Sequence, residues 1–210
     1  MKTVIISSGE IYDYSFCHDI VQAADRIICA DGGTRHAINM GLIPNVIIGD
    51  MDSSAVRYID YYRKKGVEVV QYPPDKDKTD THICVEFALA FSREIILLGA
   101  TGSRIDHMIA NISLLKLGIE RNIPISIMDN KNYIRMIKDS IILEGNKGDY
   151  FSLIPFTDKV EGISTKGAHY ELMDAVMELG DPYGVSNYFE EETVEISISK
   201  GYLLVIKAKD

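Results

Sequence analysis

Short runs of consecutive apolar residues recur through the first 130 residues, each bounded by turn formers. They read VIIS after Thr3, IICA after Arg26, VIIG after Asn45, VEVVQ after Gly66, IILLG after Glu94 and ISIM after Pro124. Runs this short and this rich in β-branched residues predict buried strands. The segments between them change period. Thr81 to Phe91 places apolar residues at 83, 84, 87, 88 and 91, and Ile105 to Leu117 places them at 105, 108, 109, 112 and 115, both at helical spacing. Strands that are apolar on both faces, alternating with helices, predict a doubly wound, mostly parallel α/β sheet joined by right-handed crossovers.

Beyond residue 130 the pattern shifts to short alternating runs: YIRMI from Tyr133, SIIL from Ser140, YFSLIPF from Tyr150, TVEISI from Thr193 and YLLVIK from Tyr202, punctuated by glycines. Helical spacing nearly vanishes. A small all-β sandwich is expected, with the last two runs joined through Ser199-Lys200-Gly201 as a β-hairpin. The boundary falls at Asp129-Asn130-Lys131-Asn132, giving domains at 1–130 and 131–210.

Composition narrows the function. The chain has 210 residues, 22 basic and 31 acidic, for a net charge of −9 and a pI of about 5.0. That balance argues against a nucleic-acid partner, which needs a basic surface to displace counterions. Three cysteines, Cys17, Cys29 and Cys84, are odd in number and lack C-x-x-C spacing, so neither a disulfide framework nor a zinc cluster is expected. No apolar run approaches the ~18 residues that span a bilayer, and no signal-peptide core follows Met1. A cytoplasmic protein without a membrane partner is expected.

The chemistry gathers just after the strands. In a parallel sheet the carboxyl ends lie along one edge, where open α/β folds bind ligands. Asp31-Gly32-Gly33 follows the second strand, Gly49-Asp50-Met51-Asp52-Ser53 the third, Asp75-Lys76-Asp77-Lys78-Thr79-Asp80 the fourth, and Gly99-Ala100-Thr101-Gly102-Ser103-Arg104 the fifth. Any single Asp in such a place also serves as a turn former or helix cap. Several carboxylates brought together repel unless a cation compensates, and oxygen-only ligands favour a hard ion such as Mg²⁺ carried with a phosphate. The loop from Gly99 to Ser103, opening a helix, is an anion cradle in which Arg104 grips phosphate or, alternatively, pairs with Asp106. It is not G-x-x-x-x-G-K-[ST], and G-x-G-x-x-G does not occur. Thr79 or Asp77 is placed to cap a helix beginning near Asp80, with the i, i+3 spacing of Asp77 and Asp80 turning both carboxylates to one side. His107, in the first turn of the next helix, is a secondary candidate.

The ordered set ADGG (30–33), IGDMDS (48–53), DKDKTD (75–80) and GATGSRIDHMIAN (99–111) resembles the thiamine pyrophosphokinase family. The likeness extends through Gly184-Val185-Ser186-Asn187, which is similar to the Ser-Asn turn beside that family's thiamine pocket. The resemblance implies transfer of the diphosphate of ATP to the hydroxyethyl oxygen of thiamine, giving thiamine diphosphate and AMP. It further implies Mg²⁺ on Asp50, Asp52, Asp77 and Asp80. ATP would contact Asp31, Gly32, Gly33, Gly99, Thr101, Gly102, Ser103 and Arg104. Asp106 would be a further acidic catalytic position, and thiamine would meet Asp77, Thr79, Ser186 and Asn187. The family's site lies between one subunit's catalytic domain and its partner's β domain, so a homodimer is implied. The sequence has no tryptophan to flank thiamine, leaving Tyr188 or another aromatic to substitute. Two rival readings are a D-x-D nucleotide-sugar transferase, which leaves DKDKTD and the Gly99 loop without a role, and a phosphometabolite sensor, for which the carboxylates are too many.

Overall fold

The computed structural model describes residues 1–51 and 56–209, which form two compact units, Met1–Asn130 and Lys131–Asp210. Unit one alternates strands and helices: β1 (Lys2–Ile6), α1 (Tyr14–Gln22), β2 (Arg26–Ala30), a 3-10 turn at Asp31–Gly33, α2 (Thr34–Asn39), β3 (Val46–Gly49), α3 (Val56–Lys64), β4 (Glu68–Gln71), α4 (Asp80–Leu89), β5 (Glu94–Leu98), α5 (Ile105–Ser113), α6 (Leu115–Arg121) and β6 (Ile125–Met128). Its strands are all parallel, in the order β6-β5-β1-β2-β3-β4. This is the doubly wound sheet expected from the apolar runs. The central strands are buried on both faces: Val4 and Ile6 pack with Cys17 and Val21 of α1, Ala37 of α2 and Tyr62 of α3. On α4, Ile83, Cys84, Val85, Ala88 and Leu89 are all buried, and the helix packs on β1, β2, β3 and β5.

The strand order reverses at β1. From β1 the chain steps outward through β2, β3 and β4, then returns to place β5 on the other side. The crevice at the carboxyl ends of β1 and β5 is therefore the topological switch point of the sheet.

The apolar segment expected as one helix over 105–117 is two. Leu114 separates α5 from α6, and the Ser113 hydroxyl donates to the Ile109 carbonyl at 2.9 Å, a back-bond that bends helices. Nor is the apolar stripe of α5 buried: Ile105 and Ile109 are exposed.

Unit two is a sandwich of β7 (Asn132–Ile137), β8 (Ser140–Glu144), β9 (Tyr150–Pro155), β10 (Lys159–Lys166), β11 (Ala175–Glu178), β12 (Asn187–Tyr188), β13 (Thr193–Ser197) and β14 (Leu203–Ala208). One antiparallel sheet runs β12-β9-β14-β7, the other β11-β10-β13-β8. Alternation sends Phe151 and Leu153 of β9, Val194 and Ile196 of β13, and Leu203 and Val205 of β14 into the core, beside Phe189 and Met177. The expected terminal hairpin does not form. β13 pairs with β8 and β10, whereas β14 pairs with β7 and β9, so Ser199-Lys200-Gly201 carries the chain from one sheet to the other. Sandwich closure wins because both strands bury their apolar residues in the same core from opposite sides.

Among the described residues no helix is long and apolar enough to cross a membrane.

Candidate active site

Three carboxylates meet at the carboxyl edge of unit one. Asp31 follows β2, Asp50 follows β3 and Asp80 opens α4; each offers an oxygen, and these oxygens lie within 4.8 Å of one another. The backbone is shaped to allow this. Asp31 is held at a φ of +31° and Met51, next to Asp50, at +62°, a region in which L residues are strained and which clusters at functional sites. Gly49 makes the approach possible, because a Cβ built there would stand 2.5 Å from the Asp31 Cβ. Thr79 caps α4, accepting the His82 N–H at 3.2 Å, and so fixes Asp80 in the first turn.

A cation already sits among these groups. The Lys76 Nζ lies 3.0 Å from Asp50 Oδ2 and 3.0 Å from Asp80 Oδ1. Burial opposes its charge, but the two carboxylates prevail and hold its pKa above the ordinary lysine value.

Asp77 does not join the cluster. It lies in the bend preceding α4 and is exposed, so helical i, i+3 spacing does not apply to it. Asp52 lies outside the described residues. Asp31, expected at the nucleotide, is the buried member of the carboxylate group. The exposed Asp60–Arg63 type of pairing contributes little elsewhere on this unit.

Beside the cluster, at the switch point, a cavity of about 290 Å³ is lined by Ser7, Ser8, Gly9, Glu10, Arg35, Thr81, the whole stretch Gly99 to Arg104, His107, Met108 and Asn111. Its lining includes the predicted Gly99, Thr101, Gly102, Ser103 and Arg104, whereas Gly32 and Gly33 lie in the 3-10 turn that leads into α2. Thr81 joins cavity to cluster: it follows Asp80 and donates its hydroxyl to Ser7 Oγ at 3.0 Å.

The cavity walls are braced from behind. Gly9 and Glu10 donate backbone N–H groups to the carbonyls of Gly99 and Thr101 at 2.7 and 3.0 Å, tying the β1 loop to the β5 loop. Asn111 Nδ2 holds the Ala100 carbonyl at 2.8 Å, and the Thr101 hydroxyl donates to Asp129 Oδ2 at 2.9 Å. Arg104 is exposed and meets Asp106 through two contacts, Nη2 to Oδ2 at 2.6 Å and Nε to Oδ1 at 3.2 Å. The hydrogen bond from Arg104 holds the Asp106 pKa down at about 2. The pairing with Asp106 is thus the arrangement of this guanidinium in the structure, at the mouth of the cavity.

The sequence reading did not single out the β1 loop or Arg35. Ser7-Ser8-Gly9 follows a strand as Asp31 and Gly99 do, so the same edge rule would have found it. Arg35 Nη2 donates to the carbonyls of Ser8 and Gly9 at 2.8 and 3.1 Å. Beneath it the buried His36 bonds through Nε2 to the Gly9 carbonyl at 2.7 Å and through Nδ1 to the Tyr14 hydroxyl at 2.8 Å, and Asn39 Nδ2 donates to that hydroxyl at 2.8 Å. Because a carbonyl can only accept, Nε2 donates to Gly9, and the Tyr14 hydroxyl can donate to Nδ1, an arrangement that a neutral imidazole satisfies; the Arg35 Nε also lies 3.3 Å from Nε2. Burial lowers its pKa, outweighing the Gly9 bond that raises it, with Arg35 lowering it further. A histidine whose folded pKa lies below the unfolded value of about 6.5 leaves the unfolded chain binding more protons just below that pH. Stability contributed by His36 is therefore full above about pH 6.5 and lost as pH falls below it. Thermal melts between pH 7.5 and 5.5 are expected to show a decline that His36→Gln flattens; an unchanged slope would remove His36 as its source.

In unit two, Asn187 is buried and spent on backbone. Its Oδ1 accepts from the N–H groups of Tyr170 and Tyr188 at 3.1 and 2.9 Å, and its Nδ2 donates to the Tyr170 carbonyl at 2.8 Å. Ser186, at a φ of +62°, donates its N–H to Ser152 Oγ at 3.1 Å. This turn borders a cavity of about 580 Å³ lined by Leu153, His169, Tyr170, Glu171, Leu172, Tyr183, Gly184, Val185 and Asn187. Tyr188 stacks on His169 with ring centroids 4.3 Å apart, and Tyr170 meets both edge-on. The aromatic side chains lining the cavity itself are thus His169, Tyr170 and Tyr183. The three cysteines are free and buried.

Comparison with known proteins places this geometry. The family model described as thiamin pyrophosphokinase, catalytic domain, matches residues 17–127, and that described as thiamin pyrophosphokinase, vitamin B1 binding domain, matches residues 138–203. Thiamine pyrophosphokinase of Bacillus subtilis is 32% identical over 221 residues, covering 100% of both chains. Thiamine pyrophosphokinase 1 of rice is 30% identical over 210 residues, covering 87% of this chain and 79% of its own. The crystal structure of the Bacillus subtilis enzyme shares the fold with a TM-score of 0.88 at 28% identity over 100% of both chains. The yeast enzyme, at 18% identity and a TM-score of 0.82 over 99% of this chain and 86% of its own, shares the fold. With both family domains matched in order along the chain, this protein belongs to the thiamine pyrophosphokinase family of enzymes.

Proposed function

We propose that the chain transfers the diphosphate of ATP to the hydroxyethyl oxygen of thiamine, releasing AMP. The observation that carries this reading is the meeting of Asp31, Asp50 and Asp80 within 4.8 Å, joined through Thr81 to a cavity at the switch point. In-line displacement at the β-phosphorus forms a bond from the thiamine oxygen to that phosphorus, breaks the bond to the oxygen that leaves with AMP, and releases the hydroxyl proton. Such a reaction asks chiefly for alignment and charge neutralisation.

The donor set fits Mg²⁺: it is all oxygen, without His or Cys, and anionic. When bound, the ion would neutralise phosphate charge and polarise the phosphorus under attack. Asp50 and Asp80 would hold it, with Asp31 in support and Asp52 in the same motif. The loop from Gly99 to Ser103 would cradle the polyphosphate beside the N-terminus of α5, whose partial positive charge favours an anion. Arg104 would exchange its exposed bond with Asp106 for a bidentate grip on phosphate. Arg35 and His36 keep the β1 loop in place as the opposite wall. In unit two, the cavity with His169, Tyr170 and Tyr183 would take the rings of thiamine, Asn187 keeping the Tyr170 backbone in register. A cytoplasmic homodimer, with unit two of one copy serving the site of the other, belongs to the same proposal.

The discriminating experiment is product analysis of purified protein with Mg²⁺, ATP and thiamine. AMP and thiamine diphosphate in equal amounts are expected. ADP, or nucleotide turnover that does not depend on thiamine, would reject the assignment.

A further inference from the structure

We propose that Lys76 is the resident cation of the metal-free site, its ammonium standing between Asp50 and Asp80 where a divalent ion would bind and withdrawing when that ion arrives. The inference rests on the metal reading above and goes beyond it, since it assigns a function to a residue that neither binds phosphate nor holds metal in that scheme.

Three carboxylates whose oxygens approach within 4.8 Å repel one another, and they are only partly open to solvent screening: the side chains of Asp50 and Asp80 are 24% and 23% exposed, and that of Lys76 only 12%. An ammonium 3.0 Å from an oxygen of each relieves the repulsion. The pairing is unlike that of the neighbouring Lys78, which bonds the exposed Glu86 at 2.7 Å and reaches none of the three aspartates. Lys76 is also placed to leave. It lies in the segment between β4 and α4, outside any helix or strand, so rotation of its four-carbon stem moves the charge without moving the helix that carries Asp80. An ion of charge +2 then replaces one of +1 at the same carboxylates. The consequence is competition. The nucleotide-free enzyme holds a bare divalent ion weakly, because the ion must first displace Lys76, whereas an ion arriving with polyphosphate brings further contacts that offset the displacement.

The test is direct Mn²⁺ binding to the nucleotide-free protein, followed by the electron paramagnetic resonance signal of the free ion, in wild type, Lys76→Met, Lys76→Gln, Lys76→Arg and Asp50→Asn. Melting of the same proteins is followed in chelator and in Mn²⁺. Either uncharged variant is expected to bind Mn²⁺ at least about tenfold more tightly than wild type, while Lys76→Arg, which keeps the charge, stays close to wild type. In chelator the uncharged variants are expected to melt below wild type by several degrees, a deficit that Mn²⁺ removes. A merely structural lysine would not produce that crossover. Unchanged or weaker binding in both uncharged variants, with Asp50→Asn still abolishing it, would overturn the assignment of Lys76 and leave the metal site standing. Absence of Mn²⁺ binding by every protein at millimolar ion would overturn the metal reading and this inference together.

Discussion

Asp80→Asn is expected to lower kcat for diphosphate transfer by about two orders of magnitude or more while leaving the fold intact. The substitution keeps the shape of the side chain and the capped start of α4, so Thr79 still accepts the His82 N–H. What it removes is one of the three negative charges that converge on the site. A neutral amide is a poorer ligand for a hard cation than a carboxylate. Stability should change little, because loss of the 3.0 Å pair with Lys76 is offset by relief of repulsion with Asp31 and Asp50. Steady-state rates at saturating ATP and thiamine, with circular dichroism as the fold control, check this. A variant with wild-type turnover would remove Asp80 from the chemistry. Asp77→Asn is the informative contrast: an exposed carboxylate outside the cluster is expected to leave Mn²⁺ affinity within about threefold of wild type.

Gly49→Ala is expected to damage both stability and rate. The added methyl would lie 2.5 Å from the Asp31 Cβ and 3.1 Å from its Cα, so β3 must move away from the end of β2. Overpacking of this kind costs about 1–3 kcal/mol. The movement also separates Asp31 from Asp50, and small misplacements at a reacting centre cost up to about 10²-fold in rate. The loss of activity should therefore exceed what the lowered melting temperature explains, a comparison made by assaying well below the variant's melting point. Activity that returns fully at low temperature would mean that Gly49 serves stability alone.

These two positions also mark what could be read from the chain. The β-branched runs around Ile5, Ile28, Ile47 and Leu97 are buried on both faces, so no partner need be known to see them as central strands, and α4 follows from its spacing in the same way. The edge rule then placed Asp31, Asp50, Asp80 and the Gly99 loop near one another. Features that depend on three-dimensional partners were not legible. The strand β10 is interrupted by a bulge between Val160 and Ile163, where Gly162 takes a φ of +70°, so its apolar residues fall out of alternation and the strand escapes a period-2 reading. The runs that became β13 and β14 looked like a hairpin because local pattern records which residues face a core, not which sheet they join. Asp77 and Asp80 look equivalent in a spacing argument and are separated only by where α4 begins. Lys76 had no signal at all, since its meaning lies in the two carboxylates it reaches.

The proposed function requires that one divalent ion be shared by the carboxylates after β2, β3 and the start of α4, and that it present a polyphosphate to the cavity beside them. The most direct measurement is a crystal structure with Mn²⁺ and a non-hydrolysable ATP analogue, the ion located by its anomalous signal. The account predicts an anomalous peak bonded to carboxylate oxygens of Asp50 and Asp80, with phosphates against Gly99 to Arg104 and Lys76 withdrawn. A peak elsewhere, or phosphates bound away from that loop, would contradict it.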